Sequence, residues 1–155
     1  MKIRTPILAG LTAIIICTGF DNSYGQNERS GIGIIVGEPT GIAFKQWTGA
    51  NDAIDAAVAW SFYEAASFYL HADYLMHNFS LIQVSSGRFP IYYGIGGRIK
   101  FTSKTRLGAQ IPLGASYIFE EAPLDVFIEI RPVLDLIPGT EFTVSGGIGI
   151  RYYFD

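Results

Sequence analysis

The amino-acid sequence predicts an all-β chain, a single eight-stranded antiparallel up-and-down barrel, on three observations. Side chains alternate in polarity with a period of two through eight successive segments. Turn-forming residues interrupt the chain between those segments. No helical period of 3.6 is sustained after the first two dozen residues, and no low-complexity linker marks a second domain. The segments fall at 31–37, 41–47, 53–62, 67–79, 89–101, 106–119, 124–137 and 142–154.

The chain opens differently. Lys2 and Arg4 precede an apolar run over residues 7–18, too short to span a bilayer, and Ser23-Tyr24-Gly25 supplies small residues at a cleavage position. Residues 1–25 are therefore expected to be a signal peptide for Sec-dependent export, and 26–155 the barrel domain. Cys17, the single cysteine, follows Ile16 rather than a small residue, so it reads as part of the apolar run and not as a lipid attachment site. Its removal would leave no thiol for disulfides, catalysis or metal binding.

Each later segment carries one apolar and one polar face. The first two place Gly31, Gly33 and Lys45 on the polar face, with the turn Glu38-Pro39-Thr40-Gly41 between them. After Thr48-Gly49-Ala50-Asn51-Asp52, the third sets Ile54, Ala56, Val58, Trp60 and Phe62 against Asp55. The fourth brings His71, Asp73 and His77 onto one parity, and Ser85-Ser86-Gly87 follows it. The fifth opposes Ile91, Tyr93, Ile95, Ile99 and Phe101 to Arg98 and Lys100. Beyond the turn at 102–105, the sixth opposes alternate apolar residues from Leu107 to Phe119 to Arg106 and Gln110. The seventh alternates most strictly: Val126, Ile128, Ile130, Pro132, Leu134 and Leu136 against Asp125, Glu129, Arg131 and Asp135. Pro138-Gly139-Thr140 leads to the eighth, with Ile148, Ile150, Tyr152 and Phe154 opposite Arg151.

Alternation alone fits a soluble lipocalin-like barrel with its apolar face inside. Four features favour the inverse, a transmembrane barrel. The polar face is rich in glycine, which suits a narrow lumen and wastes a solvated surface. Its charges nearly cancel, as a closed interior requires. Aromatic residues gather at segment ends on the apolar parity (Trp60, Phe62, Tyr117, Phe119, Tyr152, Phe154), like the girdles at membrane interfaces. The export signal leads out of the cytoplasm. Charged residues are only 16% of the chain, well below the roughly 25% of soluble domains. The net charge of −3 is too mild to imply a nucleic-acid partner. The expected location is the cell outer membrane, with membrane lipid and the outer-membrane assembly machinery as partners.

The last segment, Gly147-Ile148-Gly149-Ile150-Arg151-Tyr152-Tyr153-Phe154, resembles the C-terminal assembly signal of outer-membrane barrels, although Asp155 follows the phenylalanine. The chain as a whole resembles the small eight-stranded barrels of the OmpA/OmpX type. Strings such as residues 36–41, 71–74, 92–99 and 122–125 are similar to a group of uncharacterised bacterial outer-membrane proteins. The resemblance implies fold and location in a Gram-negative bacterium, and brings no activity with it.

The candidate site is the polar face itself. Lys45, Asp55, Asp73, Arg98, Lys100, Arg106, Asp125, Glu129, Arg131, Asp135 and Arg151 are expected to be structural charges of the lumen. Arg98, Arg131 and Arg151 are expected to pair with acids drawn from Asp55, Asp73, Asp125 and Glu129. Eight strands enclose an interior that side chains just fill, so these charges plug the lumen rather than line a pore. His71, Asp73 and His77, with Ser67 nearby, are a candidate base or metal cluster that would suit a lipid-modifying barrel enzyme. Hydrogen-bonded lumen histidines are the simpler reading. Residues 26–155 contain no phosphate-loop, HExxH or paired-CxxC motif. Gly94-Ile95-Gly96-Gly97 lies within a strand with no helix after it, and so is not a nucleotide loop. The expectation is a barrel of structural or interaction type, without catalysis, cofactor or metal. An even strand count puts both termini in the periplasm. The connections near 38–40, 63–66, 102–105 and 138–141 then face outward, and the longest, near 78–88, faces the periplasm.

Overall fold

The computed structural model describes residues 29–63 and 66–154. The expected signal peptide, residues 1–25, lies outside the described residues. These form β1 (Ser30–Glu38), β2 (Thr40–Trp47), β3 (Asp52–Ser61), β4 (Ser67–Asn78), β5 (Ile91–Phe101), β6 (Arg106–Gln110), β7 (Leu113–Ile118), β8 (Leu124–Ile137) and β9 (Glu141–Phe154). Neighbouring strands pair antiparallel around a ring. It closes where β1 meets β9, in unbroken register from Ser30↔Phe154 to Glu38↔Gly146.

The sixth segment, expected as one strand, is two. β6 and β7 nevertheless occupy one stave, so the ring has eight. Gln110 pairs with Val133 and Leu113 with Ile130, and the same offset continues across the gap. Pro112 has no N–H to give to a ladder, and Pro132 of β8 has none to return to Ile111. The carbonyls still work: Ile111 N–H donates to Pro132 O at 3.0 Å, and Gly94 N–H to Pro112 O at 3.0 Å. The prolines remove hydrogen bonds without moving the register. For the same reason β5 starts at Ile91 rather than at 89, as Pro90 interrupts a pairing that resumes at Arg88↔Ile118.

The alternation decides inside from outside. On β4, Phe68, Leu70 and Tyr74 are exposed while Tyr69, His71, Asp73, Leu75 and His77 are buried. On β8, Val126, Ile128, Ile130, Leu134 and Leu136 are exposed, and Asp125, Phe127, Glu129, Arg131, Val133 and Asp135 are buried. A lipocalin-like barrel would bury the isoleucines and expose the charges, so that alternative fails. The outer wall is a belt of Ile, Val, Leu and aromatic side chains.

The lumen is narrow, and glycines make room in it. A Cβ at Gly149 would collide with the Phe127 ring, and one at Gly114 with the Tyr92 ring. Large side chains on one stave are thus accommodated by bare backbone on the next.

Ile130 lies mid-strand on the outer wall and is 53% exposed. Ile130→Arg should destabilise the barrel in lipid vesicles by about 2–4 kcal/mol if it sits near the bilayer midplane. Urea unfolding in vesicles measures this, and an unchanged midpoint would contradict a lipid-facing position.

Candidate functional site

The polar residues of the lumen form three tiers. The middle tier is built on two guanidinium groups. Arg151, 1% exposed, donates from Nε to Asp125 Oδ1 at 3.0 Å and from Nη1 to Asp55 Oδ1 at 2.9 Å. Its guanidinium carbon lies 3.9 Å from the centre of the Phe127 ring, a cation–π contact. Asp125 also accepts from the Tyr153 hydroxyl at 2.7 Å. Arg131 forms a close ion pair with Glu129 and stands 3.6 Å from Asp55 and 3.5 Å from Asp73. Glu129 accepts from the Tyr92 hydroxyl at 2.7 Å, and Asp73 from Gln110 Nε2 at 2.6 Å. Two cations therefore share four carboxylates contributed by β3, β4 and β8.

The second tier lies toward the barrel end opposite the start of β1 and the finish of β9, which together mark the termini end of the described residues. Arg98 holds Asp135 in a fork, Nε–Oδ1 3.2 Å and Nη2–Oδ2 2.9 Å, and donates to Thr143 Oγ1 at 3.1 Å. Arg106 bridges Glu141 and, at 3.8 Å, Asp135. Lys100 and Arg98 lie 5.2 and 5.6 Å from the Tyr69 ring centre. These groups line a cavity of about 320 Å³.

The third tier lies at the barrel end where β1 starts and β9 finishes. Lys45, fully buried, donates from Nζ to His77 Nε2 at 2.7 Å. His77 Nδ1 is 3.0 Å from the Asn51 carbonyl, so the proton sits on Nδ1 and the imidazole is neutral in this arrangement. The Lys45 ammonium is flanked by the Trp47 ring at 4.5 Å and the Tyr92 ring at 5.2 Å. His77 packs on Trp47 at 4.4 Å and on Tyr92 at 5.1 Å between centroids. Below this aromatic floor a second cavity, about 250 Å³, is lined by Arg29, Phe79, Arg88, Phe119 and Tyr153 among others.

The sequence-based candidates are thus placed in a layered order. Arg131 and Arg151 meet the expected acids Asp55, Asp73, Asp125 and Glu129. Arg98 does not: its partner is Asp135, and Glu129 goes to Arg131 and Tyr92 instead. The histidines separate. His71 Nδ1 lies 3.1 Å from Asp73 Oδ2, whereas His77 binds Lys45. Ser67 is four residues from His71 on β4, roughly 13 Å by strand rise and out of reach of its imidazole.

Asp55, His71 and Asp73 offer ligand atoms within 4.8 Å of one another. The Arg131 guanidinium stands against both carboxylates, Arg151 donates to Asp55 and the Gln110 amide to Asp73, so fixed cationic and amide donors already occupy the cluster. Tyr69, Tyr92 and Tyr153 were missed as lumen groups, as was the Trp47 ring against Lys45. The three tyrosines share the parity of the charges on their strands, which was the signal available for them.

The fold has solved counterparts. The chain superposes on the N-terminal β-barrel domain of Pseudomonas aeruginosa OprF with a TM-score of 0.58 and 15% identity, covering 84% of this chain and 100% of that one. This is the fold of a small outer-membrane β-barrel. Neisserial surface protein A aligns with a TM-score of 0.52 and 12% identity, over 81% of this chain and 94% of that one. At such identities the likeness is one of fold. No family model matches the sequence, and no curated protein matches it.

The pairing is testable by a double-mutant cycle in vesicles. Arg98→Ala and Asp135→Ala should each destabilise the barrel, by as much as about 3–5 kcal/mol where the stranded partner stays dry. Combined, they should show a coupling of about 0.5–3 kcal/mol. The cycle of Arg98 with Glu129 should show coupling near zero. The reverse ranking would contradict the observed layering.

Proposed function

We propose that this chain resides in the bacterial outer membrane, after Sec-dependent export, as a closed barrel of structural or interaction type without catalytic activity. The observation that carries the reading is the inside-out distribution of polarity. Ion pairs and tyrosines fill the lumen, while the wall facing away from it is aliphatic and aromatic through every stave. Only a lipid environment makes such a wall favourable, and only a closed barrel satisfies strand backbones there. Membrane lipid and the assembly machinery that inserts barrels are the partners this reading requires.

The polar clusters support a structural role over a catalytic one. His71 and Asp73 are buried, and Asp73 is engaged by Gln110 and Arg131. A lipid substrate would approach along the outer wall, and these groups point into the lumen, separated from it by the sheet. The two cavities flank a middle tier occupied by arginine, carboxylate and tyrosine side chains, which favours a plugged lumen over a conducting one.

Fractionation should place the folded protein in the outer membrane, with a heat-modifiable shift on gels; recovery in the soluble periplasmic fraction would overturn the reading. Lipid A mass profiles should not change when the gene is removed. The orientation has its own test. Gly139 and Gly49 tolerate a side chain, with nothing within 4 Å of the first and only ordinary contact with Asp52 at the second. On intact cells Gly139→Cys should react with an impermeant maleimide and Gly49→Cys should not. The opposite pattern would invert the barrel.

A further inference from the structure

Residues 79–87, Phe-Ser-Leu-Ile-Gln-Val-Ser-Ser-Gly, contain no charged side chain. They lead from β4 toward β5 at the end of the barrel where β1 starts and β9 ends. Three aliphatic side chains stand out from them: Leu81 is 64% exposed, Ile82 41% and Val84 39%. None of the three lines the cavity at this end, although Phe79 and Arg88 on either side do.

The root of this connection is fastened to the barrel. Arg88 and Ile118 exchange backbone hydrogen bonds of 3.0 and 2.8 Å, extending the register of β5 with β7. The Tyr117 hydroxyl donates to Ser86 O at 2.8 Å. The Glu120 carboxylate accepts from Ser86 Oγ at 3.1 Å and from Gly87 N–H at 3.4 Å. Gly87 has φ of 71°, and an added Cβ would fall 2.8 Å from the Tyr117 hydroxyl oxygen. Only glycine serves both conditions. Tyr117 shares the parity of Leu113 on the outer wall and meets Phe119 edge-to-face at 4.9 Å. The connection is therefore fastened to an outer-wall tyrosine, a residue type that gathers at membrane interfaces.

We propose that residues 79–87 form a membrane-interface loop, with Leu81, Ile82 and Val84 inserted among the lipids of the leaflet on the termini side. This rests on the outer-membrane reading and adds a specific lipid contact to it. The occupant follows from continuity. The loop extends an apolar wall that already faces lipid, and its anchor is an outer-wall tyrosine. A protein-binding patch would carry a polar rim. Here Arg88 turns toward the Phe79 ring, 4.9 Å away, and Glu120 is engaged by the loop's own backbone. The loop's exposed polar side chains, Ser80, Gln83, Ser85 and Ser86, are all neutral, so a lipid headgroup region accommodates them beside the three aliphatic ones without burying a charge.

Tryptophan fluorescence tests this, because the chain has only two tryptophans, Trp47 and Trp60. Trp60 lies on the outer wall and reports membrane embedding. One protein keeps Trp60 alone through Trp47→Phe. A second carries Trp47→Phe, Trp60→Phe and Leu81→Trp. Both are refolded into phosphatidylcholine vesicles with plain or brominated acyl chains, and folding is verified by the heat-modifiable shift. Brominated lipid should quench both by at least twofold, and aqueous iodide should quench neither appreciably. Quenching of Trp60 by bromine with quenching of the Leu81→Trp protein by iodide would overturn the loop proposal and leave the membrane reading standing. A loop tryptophan protected from both quenchers would show a protein cover, and would also overturn it. Loss of bromine quenching at Trp60 would overturn the membrane reading itself.

Discussion

In the membrane placement proposed for this chain, an open sheet of these strands would leave β1 and β9 with rows of unpaired N–H and C=O groups facing hydrocarbon, where each unsatisfied group costs several kcal/mol. The pairing of β1 with β9, continuous over nine residues of β1, removes both edges at once. Everything else depends on that closure. It gives the chain an inside, and it lets a wall of isoleucine and leucine stand outside without exposing backbone polarity. It also sets the circumference: eight staves enclose a lumen too narrow for bulk solvent and too polar in sequence to be an apolar core.

That narrowness dictates the chemistry of the interior. Charges taken from water must be paired or hydrogen-bonded. Here each buried guanidinium of the middle tier addresses more than one carboxylate, and tyrosine hydroxyls occupy further acceptor positions on Asp125 and Glu129. Space is found by alternating bulk with bare backbone, as where Phe127 lies over Gly149 and Tyr92 over Gly114. Breaks in the ladder at Pro112, Pro132 and Pro90 are tolerated because the carbonyls around them still find donors, so register survives where hydrogen bonds are lost.

The two ends of the barrel differ. Away from the termini, the mouth is lined by arginine, lysine and acid side chains. At the termini end, an aromatic floor of Trp47, His77 and Tyr92 closes over Lys45, and the long connection carries exposed aliphatic residues. In the proposed orientation, with β1 starting and β9 ending on the periplasmic side, that asymmetry reverses the usual pattern of outer-membrane barrels, whose longer loops lie outside. It directs attention to lipid contact and anchoring on the termini side rather than to recognition by long loops on the other.

The faces of the strands were legible in the sequence, because polarity along a strand has a period of two and each residue's side follows from its neighbours alone. The seventh segment shows this best: its expected limits, 124–137, are those of β8, and its charges are the buried set. The glycines and the terminal aromatics told which face was the lumen. Partner choice was not legible. Arg98 could have met any acid of its parity. It meets Asp135 because the stagger accumulated from β5 through β6 to β8 brings those two residues level, and no local pattern records that sum. The same holds for Lys45 and His77, 32 positions apart and joined across β3. Sequence determined what each face is made of. Closure and register, which exist only once all eight staves are in place, decided which charges meet.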